Sequence, residues 1–469
     1  MLAGALASPT PQLIGFVVFG AMTLFFTALS ATTLRWMIYG WSTPAKVQNR
    51  TTGDPTGQLD HSFSLLVCAR DEADVLGSTL DGLAAQSHPR VEIVVVIGHD
   101  DHETLAVARA AQERHIDRIV VVEDRSVPPS KPASLNTGLA RCTGDIVGVF
   151  DAEDDVAPTL LEAVDQGYQL SGADILQGGV QLMNVNSRWF TARNVLEYFF
   201  HFGSRLRLHA EQGFIPLGGN TVFIRRDLLV RNGGWDEACL AEDCELGIRL
   251  SVLGATTMAF YDPDLVTREE APTEIGDFIR QRTRWDQGFL QVLRKGEWRA
   301  LPQGSKRASA RLMLAMPFIQ ALGILVAIGQ IIFALMVDIP IGLAMLAFLP
   351  AAITLLTICI ELAGLREFSK TFDIEVPFRT YVWIVVGFLP YHLMLGAAAA
   401  RAMWREGRGE HGWEKTHHDG AHRRTTVDPD EQVIDLREPV LLRTGSSSDD
   451  DLDETLELAD TTALAASDR

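Results

Sequence analysis

A chain of 469 residues is long enough for two or three domains. Its formal net charge of -19 argues against a nucleic-acid partner, although the charge is uneven: positions 428–469 hold thirteen Asp or Glu against three Arg. The five cysteines, Cys68, Cys142, Cys239, Cys244 and Cys359, are odd in number and lack CxxC spacing, which excludes a disulfide framework or zinc site and fits a reducing cytosol.

The first element is an apolar run over 13–34, with the roughly twenty residues needed to cross a hydrocarbon core. It lacks the basic start and small-residue cleavage site of a signal peptide, so residues 1–40 are expected to form a membrane anchor. No basic residue precedes the run, whereas Arg35, Lys46 and Arg50 follow it, which places the next segment in the cytoplasm. From 60 to 300, short apolar runs at 63–69, 91–97, 118–122 and 146–150 alternate with helical patterns at 73–86 and 103–115. That rhythm predicts one cytosolic α/β domain built of βαβ units around a mostly parallel sheet. Beyond Asp155 the pattern predicts a strand at 175–183, a long helix at 189–209, a turn at Gly218-Gly219-Asn220-Thr221 and an interfacial helix over 274–296.

Basic residues Arg294, Lys295, Arg299, Lys306, Arg307 and Arg311 crowd against the next apolar runs, 312–337, 341–362 and 381–400. These predict transmembrane or interfacial helices within 311–403. The last run contains Pro390, which removes a helix hydrogen bond, and is expected to be interfacial or re-entrant. The acidic tail at 425–469 has no aromatic residue and is expected to be disordered.

The chemistry concentrates in four motifs. Strand 146–150 stops at Asp151-Ala152-Glu153-Asp154, and ligands in open α/β sheets collect just beyond strand ends, where acids bind divalent cations with their phosphates. Asp100-Asp101 ends the second strand, and Ala241-Glu242-Asp243 and Gln281-Arg282-Thr283-Arg284-Trp285 follow downstream. Gln281, Arg284 and Trp285 lie at i, i+3 and i+4, so they share one helix face.

In this order the motifs resemble the D, DxD, (T/E)ED and QxxRW series of family 2 glycosyltransferases with a GT-A fold. They resemble in particular the membrane-bound group containing cellulose, hyaluronan and chitin synthases and bacterial exopolysaccharide synthases. Lys131, in Lys-Pro-Ala-Ser-Leu-Asn, matches the KxxxLN pattern of that family. Two positions depart: Glu153 stands where many relatives have the second Asp, and Ala241 replaces the usual Thr.

The resemblance implies Mg²⁺ or Mn²⁺ held by Asp151 with Glu153 or Asp154, neutralising a departing nucleotide diphosphate as a Lewis acid. It implies that Asp100 or Asp101 holds the nucleoside, that Lys131 brings positive charge to the phosphates, and that Glu242 joins the substrate-binding set. Asp243 is the implied general base, Arg284 the diphosphate contact and Trp285 a platform for the acceptor. Beyond the apolar runs, Trp413, Thr416 and His418 in the 404–424 segment match in position the FxVTxK gating loop of cellulose synthases. The expected reaction is inverting transfer of a hexose from a nucleotide sugar, probed first as UDP-linked, to a growing β-linked polysaccharide at the cytoplasmic face of the cell membrane. The alternative is addition of one sugar to a lipid-linked acceptor. With 381–400 not crossing, Trp413 to His418 lie in the cytosol. Glu414→Cys should therefore resist an impermeant thiol reagent applied to intact cells; efficient labelling would overturn that topology.

Overall fold

The computed structural model describes residues 9–42 and 59–412. Helix α1 (Pro9–Ser42) is followed by β1 (Phe63–Ala69), α2 (Ala73–Ala84), β2 (Val91–Gly98), α3 (His102–Arg114), β3 (Ile119–Asp124), α4 (Lys131–Leu139) and β4 (Ile146–Phe150). Strands β1 to β4 pair in parallel in the order β3-β2-β1-β4. Their β-branched runs are buried on both faces. Leu65, Ile93 and Val95 belong to one core, and Leu66, Val94 and Val96 to the other, as the period of two requires.

Next come α5 (Leu160–Ser171), β5 (Ile175–Gln177), β6 (Val180–Leu182), α6 (Thr191–Phe200), a π-helical turn at His201–Arg205, α7 (Leu206–Glu211), β7 (Val222–Arg225) and α8 (Arg226–Arg231). The expected strand at 175–183 is thus two. Gly178 and Gly179 break it, so that β5 joins the seven-stranded sheet while β6 pairs with β9 (Thr267–Glu269) in a second one. Strand β7 is antiparallel to β4, making the main sheet mixed, with β8 (Thr257–Ala259) at its edge. The expected helix at 189–209 is interrupted by the π turn, which re-aims the residues after it.

Helices α9 (Glu242–Val252) and α10 (Ile275–Lys295) complete the domain. Helix α10 lies so close to the chain entering α9 that a Cβ on Gly288 would come within 2.5 Å of the Ala241 backbone nitrogen. The remaining helices are α11 (Gly304–Met336), α12 (Ile341–Thr371), α13 (Phe378–Val386) and α14 (Phe388–Arg408).

Among the described residues, three helices are long and apolar enough to cross a membrane: α1, α11 and α12. The pair α13 and α14 is bent by 57°. The break falls at Gly387, not at Pro390, because a proline in the first turn of a helix lacks only a hydrogen bond that the turn does not make. Helix α14 is tied to α10 by Gln287, whose side chain donates to Glu406 Oε2 at 3.2 Å and to the Glu410 carbonyl at 2.9 Å, and by the Arg294–Glu406 ion pair at 2.8 Å.

Gly288→Ala should force α10 away from Ala241 and lower stability by about 1–3 kcal/mol, the usual cost of overpacking. A thermal midpoint equal to that of the unaltered protein would show that the two segments separate freely.

Candidate active site

Because β1 to β4 run in parallel, the residues after them gather along one sheet edge. Lys131 opens α4 with Ser130 as its cap, and its ammonium pairs with Asp151, just past β4, while reaching the Gly219 carbonyl at 3.4 Å. Burial alone would lower the Lys131 ammonium, but the carboxylates of Asp151, Glu242 and Asp243 outweigh it and hold it above the usual lysine range.

Glu242 and Asp243 occupy the first turn of α9, where unpaired N–H groups favour anions, and the Cys244 N–H donates to Asp243 Oδ1 at 2.7 Å. Burial lifts Asp243 above the usual carboxylate range, against the pull of the Cys244 N–H and of Lys131. Burial and then the Asp243 charge push Glu242 up to about 7, with Lys131 opposing. Neighbouring carboxylates this close release their protons as a pair.

A cavity of about 1810 Å³ joins these groups. Asp100, Lys131, Asp151 and Glu153 line it from the sheet, Glu242 and Asp243 from α9, and Gln281, Arg284 and Trp285 from α10. Trp285 is half-buried, with the Arg282 guanidinium 4.8 Å from its ring centre. The two open alternatives separate by geometry. Asp101 is buried and caps α3, accepting from the N–H of Thr104 at 3.2 Å and of Asp71 at 2.6 Å, and it does not line the cavity. Asp154 is also withdrawn: its oxygens accept from the Asp151 N–H at 2.8 Å and from Asn220 Nδ2 at 2.9 Å. Burial, with Glu269 close by, lifts the Asp154 carboxyl well above its usual range. Trp413, Thr416 and His418 lie outside the described residues, but His411 and Gly412 just before them line the cavity.

Among the described residues no three His, Cys, Asp or Glu side chains converge as a standing metal site. Asp151 and Glu153 offer two carboxylates on one loop of the cavity wall. Mg²⁺ takes such a pair when substrate phosphates and water complete its octahedron. The residues therefore fit a divalent ion arriving with a nucleotide diphosphate.

Residues 61–288 match the family model described as glycosyltransferase like family 2. This domain belongs to glycosyltransferase family 2. The chain is 28% identical over 266 residues to a beta-monoglucosyldiacylglycerol synthase of Synechocystis sp., covering 56% of this chain and 54% of the relative. It is 24% identical over 246 residues to a poly-beta-1,6-N-acetyl-D-glucosamine synthase of Staphylococcus epidermidis, covering 51% of this chain and 58% of the relative. These alignments thus span little more than half the length of either relative. The solved structure of a mannosyltransferase from Pyrobaculum calidifontis, in complex with GDP-Man and Mn²⁺, superposes with a TM-score of 0.55 at 20% identity, covering 83% of this chain and 99% of that one. The GT-A fold is shared, and the relatives of this domain include makers of glycolipids and of polysaccharides.

Several residues of the cavity belong to none of the four motifs. Arg70 pairs with Asp100 at 2.7 Å, and Asn220 joins Asp154 to Glu269. The Glu269-Glu270 pair at the end of β9 lines the cavity and repeats the acid-at-strand-end signal of Asp100, which could have marked it. Arg205 also lines the cavity and lies in no motif.

Turnover should fall on the acid side along a limb set above the ordinary carboxylate range, because the Glu242–Asp243 pair must lose its protons against burial and mutual repulsion. Glu242→Gln removes the carboxyl that burial and the Asp243 charge hold up at about 7, so only Asp243 is left to titrate and the limb should move to lower pH. A limb that stays in place would put the titrating group elsewhere.

Proposed function

We propose that this chain transfers one hexosyl group, with inversion, from a nucleotide sugar to a hydroxyl of a lipid acceptor that enters from the bilayer. The observation that carries the reading is the course of the cavity. It continues from Asp151 and Asp243 to the apolar helices, where Leu29 of α1 and Ile324, Ala327, Ile328 and Ile331 of α11 line it. Sugar hydroxyls passing such a wall would lose their hydrogen bonds to water without replacement, at several kcal/mol in all by the roughly 1–3 kcal/mol each that protein interiors exact. Acyl chains meet no such penalty. Elongation of a β-linked polymer, the other reading open to this family, finds its support in the Gln281, Arg284 and Trp285 face that lines the same cavity.

In this reading Asp100 binds the nucleoside, with Arg70 holding its carboxylate in place. Lys131 and Arg284 receive the diphosphate. Asp151 and Glu153 would hold Mg²⁺ or Mn²⁺, which when bound supplies Lewis-acid neutralisation of the leaving group. Asp243 takes the proton of the attacking hydroxyl, and its raised affinity for protons suits a base working near neutral pH. The nearby Asp151 charge adds to that affinity, Glu242 titrates with Asp243 as a pair, and Trp285 orients the acceptor. Direct displacement turns an α-linked donor into a β-glycoside.

Helices α1, α11 and α12 are assigned as the crossings, with the domain on the cytoplasmic side and the bent α13–α14 pair at the interface. The attachment of α14 to α10, which carries Trp285, supports that placement. Trp413, Thr416 and His418 would then close over the donor from the same side.

Purified protein given radiolabelled UDP-glucose, UDP-N-acetylglucosamine or GDP-mannose with extracted lipids should place the label in the organic phase as a single-sugar product. Asp243→Asn should cut that incorporation by about 10²-fold or more, as loss of a general base does. Label confined to a water-soluble polymer would overturn the lipid reading, and near-normal turnover by the variant would remove Asp243 from the base role.

A further inference from the structure

Where the acid-lined part of the cavity meets its apolar part, α6 gives way to the π turn His201–Arg205, and this turn is clamped to α1. Ser204 Oγ donates to the Trp36 carbonyl at 2.6 Å and accepts from the Gly40 N–H at 2.7 Å. A Cβ at Gly40 would lie 2.6 Å from the Gly203 carbonyl oxygen, so the approach is as close as a glycine allows. The clamp sets the Arg205 guanidinium over the indole of Trp36, with Cζ 4.5 Å from the ring centre.

Arg205 is half-buried and lacks the carboxylate that neighbouring cations have. Arg193 is paired with Glu361, Arg282 with Glu197 and Lys131 with Asp151. Among the described residues, Arg205 has no carboxylate or other hydrogen-bond partner, and its Nε is buried without one, although the side chain lines the cavity. Burial pushes the guanidinium down to about 10, with the Glu197 charge opposing, so it remains charged at neutral pH. His201 on the same turn is driven down to about 3 by burial and is neutral there, so it adds no second positive charge. A half-buried charge with a dry, unpaired Nε is costly, and an anionic ligand that carries its own charge into the cavity reduces that cost. Guanidinium matches phosphate in particular, because its parallel N–H groups meet two phosphate oxygens.

We propose that Arg205, seated on Trp36, binds the phosphate of a phosphodiester lipid whose headgroup also carries the free hydroxyl that is glycosylated. This rests on the lipid-acceptor reading above and narrows it from lipids in general to anionic ones. The acyl chains lie along Leu29, Ile324 and Ile328, the phosphate sits at Arg205, and the headgroup hydroxyl reaches toward Asp243. In the reaction the hydroxyl oxygen forms a bond to the anomeric carbon and its proton passes to Asp243. The bond from that carbon to the nucleotide phosphate oxygen breaks, its electron pair leaves with the nucleoside diphosphate, and the lipid phosphodiester is unchanged.

The test compares dioleoyl phosphatidylglycerol with dioleoylglycerol as acceptors for the full chain in mixed micelles, each with the labelled nucleotide sugar that the enzyme turns over. The unaltered enzyme should use phosphatidylglycerol with kcat/KM at least about tenfold higher, the effect of one charge-assisted hydrogen bond. Arg205→Gln should raise KM for phosphatidylglycerol by about tenfold or more and leave KM for the nucleotide sugar within about twofold, and Arg205→Lys should recover part of the loss. If Arg205→Gln does not accumulate, Trp36→Leu carries the same expectation for the two KM values. Equal or better use of dioleoylglycerol would overturn the proposal while leaving the lipid-acceptor reading standing. A rise in KM for the nucleotide sugar alone would overturn it by assigning Arg205 to the donor. Label found only in a water-soluble polymer would overturn both.

Discussion

The site depends on one ammonium group among many carboxylates. Asp151, Glu153, Glu242, Asp243 and Glu269 all face the same cavity, with Asp154 close behind. Left alone, such a cluster would be repelled apart or neutralised by protons. Lys131 is placed within it by the capped start of α4, pairing directly with Asp151 and acting through space on Glu242 and Asp243. The pairing holds the strand-end loop, the Gly219 turn and the start of α9 in one arrangement before any substrate is present. A nucleotide diphosphate, itself anionic, needs positive charge at this point, and the cluster already has it built in.

A second constraint joins the catalytic domain to the apolar helices. Arg193 of α6 reaches Glu361 of α12 and the Ile384 carbonyl of α13, so one buried cation links three helices. Breaking either partner would leave an uncompensated charge in a dry setting, which is why such pairs are hard to separate even when their net contribution is small. With Ser204 on α1 and Glu406 against α10, these polar contacts fix the domain to the helices at several separate points. The cavity can therefore pass between them as one continuous space, with charged walls at one end and aliphatic walls at the other.

Much of this was legible in the amino-acid order. Period-two burial and alternating helical patterns are local properties, so the parallel β1–β4 core, the apolar helices and α10 could be read from one dimension. The acids at strand ends, Lys131 and the Gln281–Trp285 face were legible because their spacing along a strand or helix decides where they point. The same reasoning failed where two neighbours compete for one role. Asp100 and Asp101 are equal in sequence, yet the first residue of α3 needs a cap and takes Asp101. Glu153 and Asp154 are likewise separated by contacts the order does not show, among them Asn220, which arrives from the turn before β7 and holds Asp154 inward together with the Asp151 N–H. The breaks at Gly178-Gly179 and Gly387 were also hidden, since a glycine permits a bend without requiring one. Arg205 had no signal at all. Its place over Trp36 depends on a π turn meeting a helix more than 160 residues earlier in the chain, and only the folded chain brings the two together. The sequence by itself thus determined the elements, the family motifs and the charge at each strand end, because those follow from local periodicity and residue chemistry. Tertiary structure alone decided which acid of each pair faces the cavity and, among the described residues, that Arg205 is left without a carboxylate, because both depend on contacts between segments far apart in the chain.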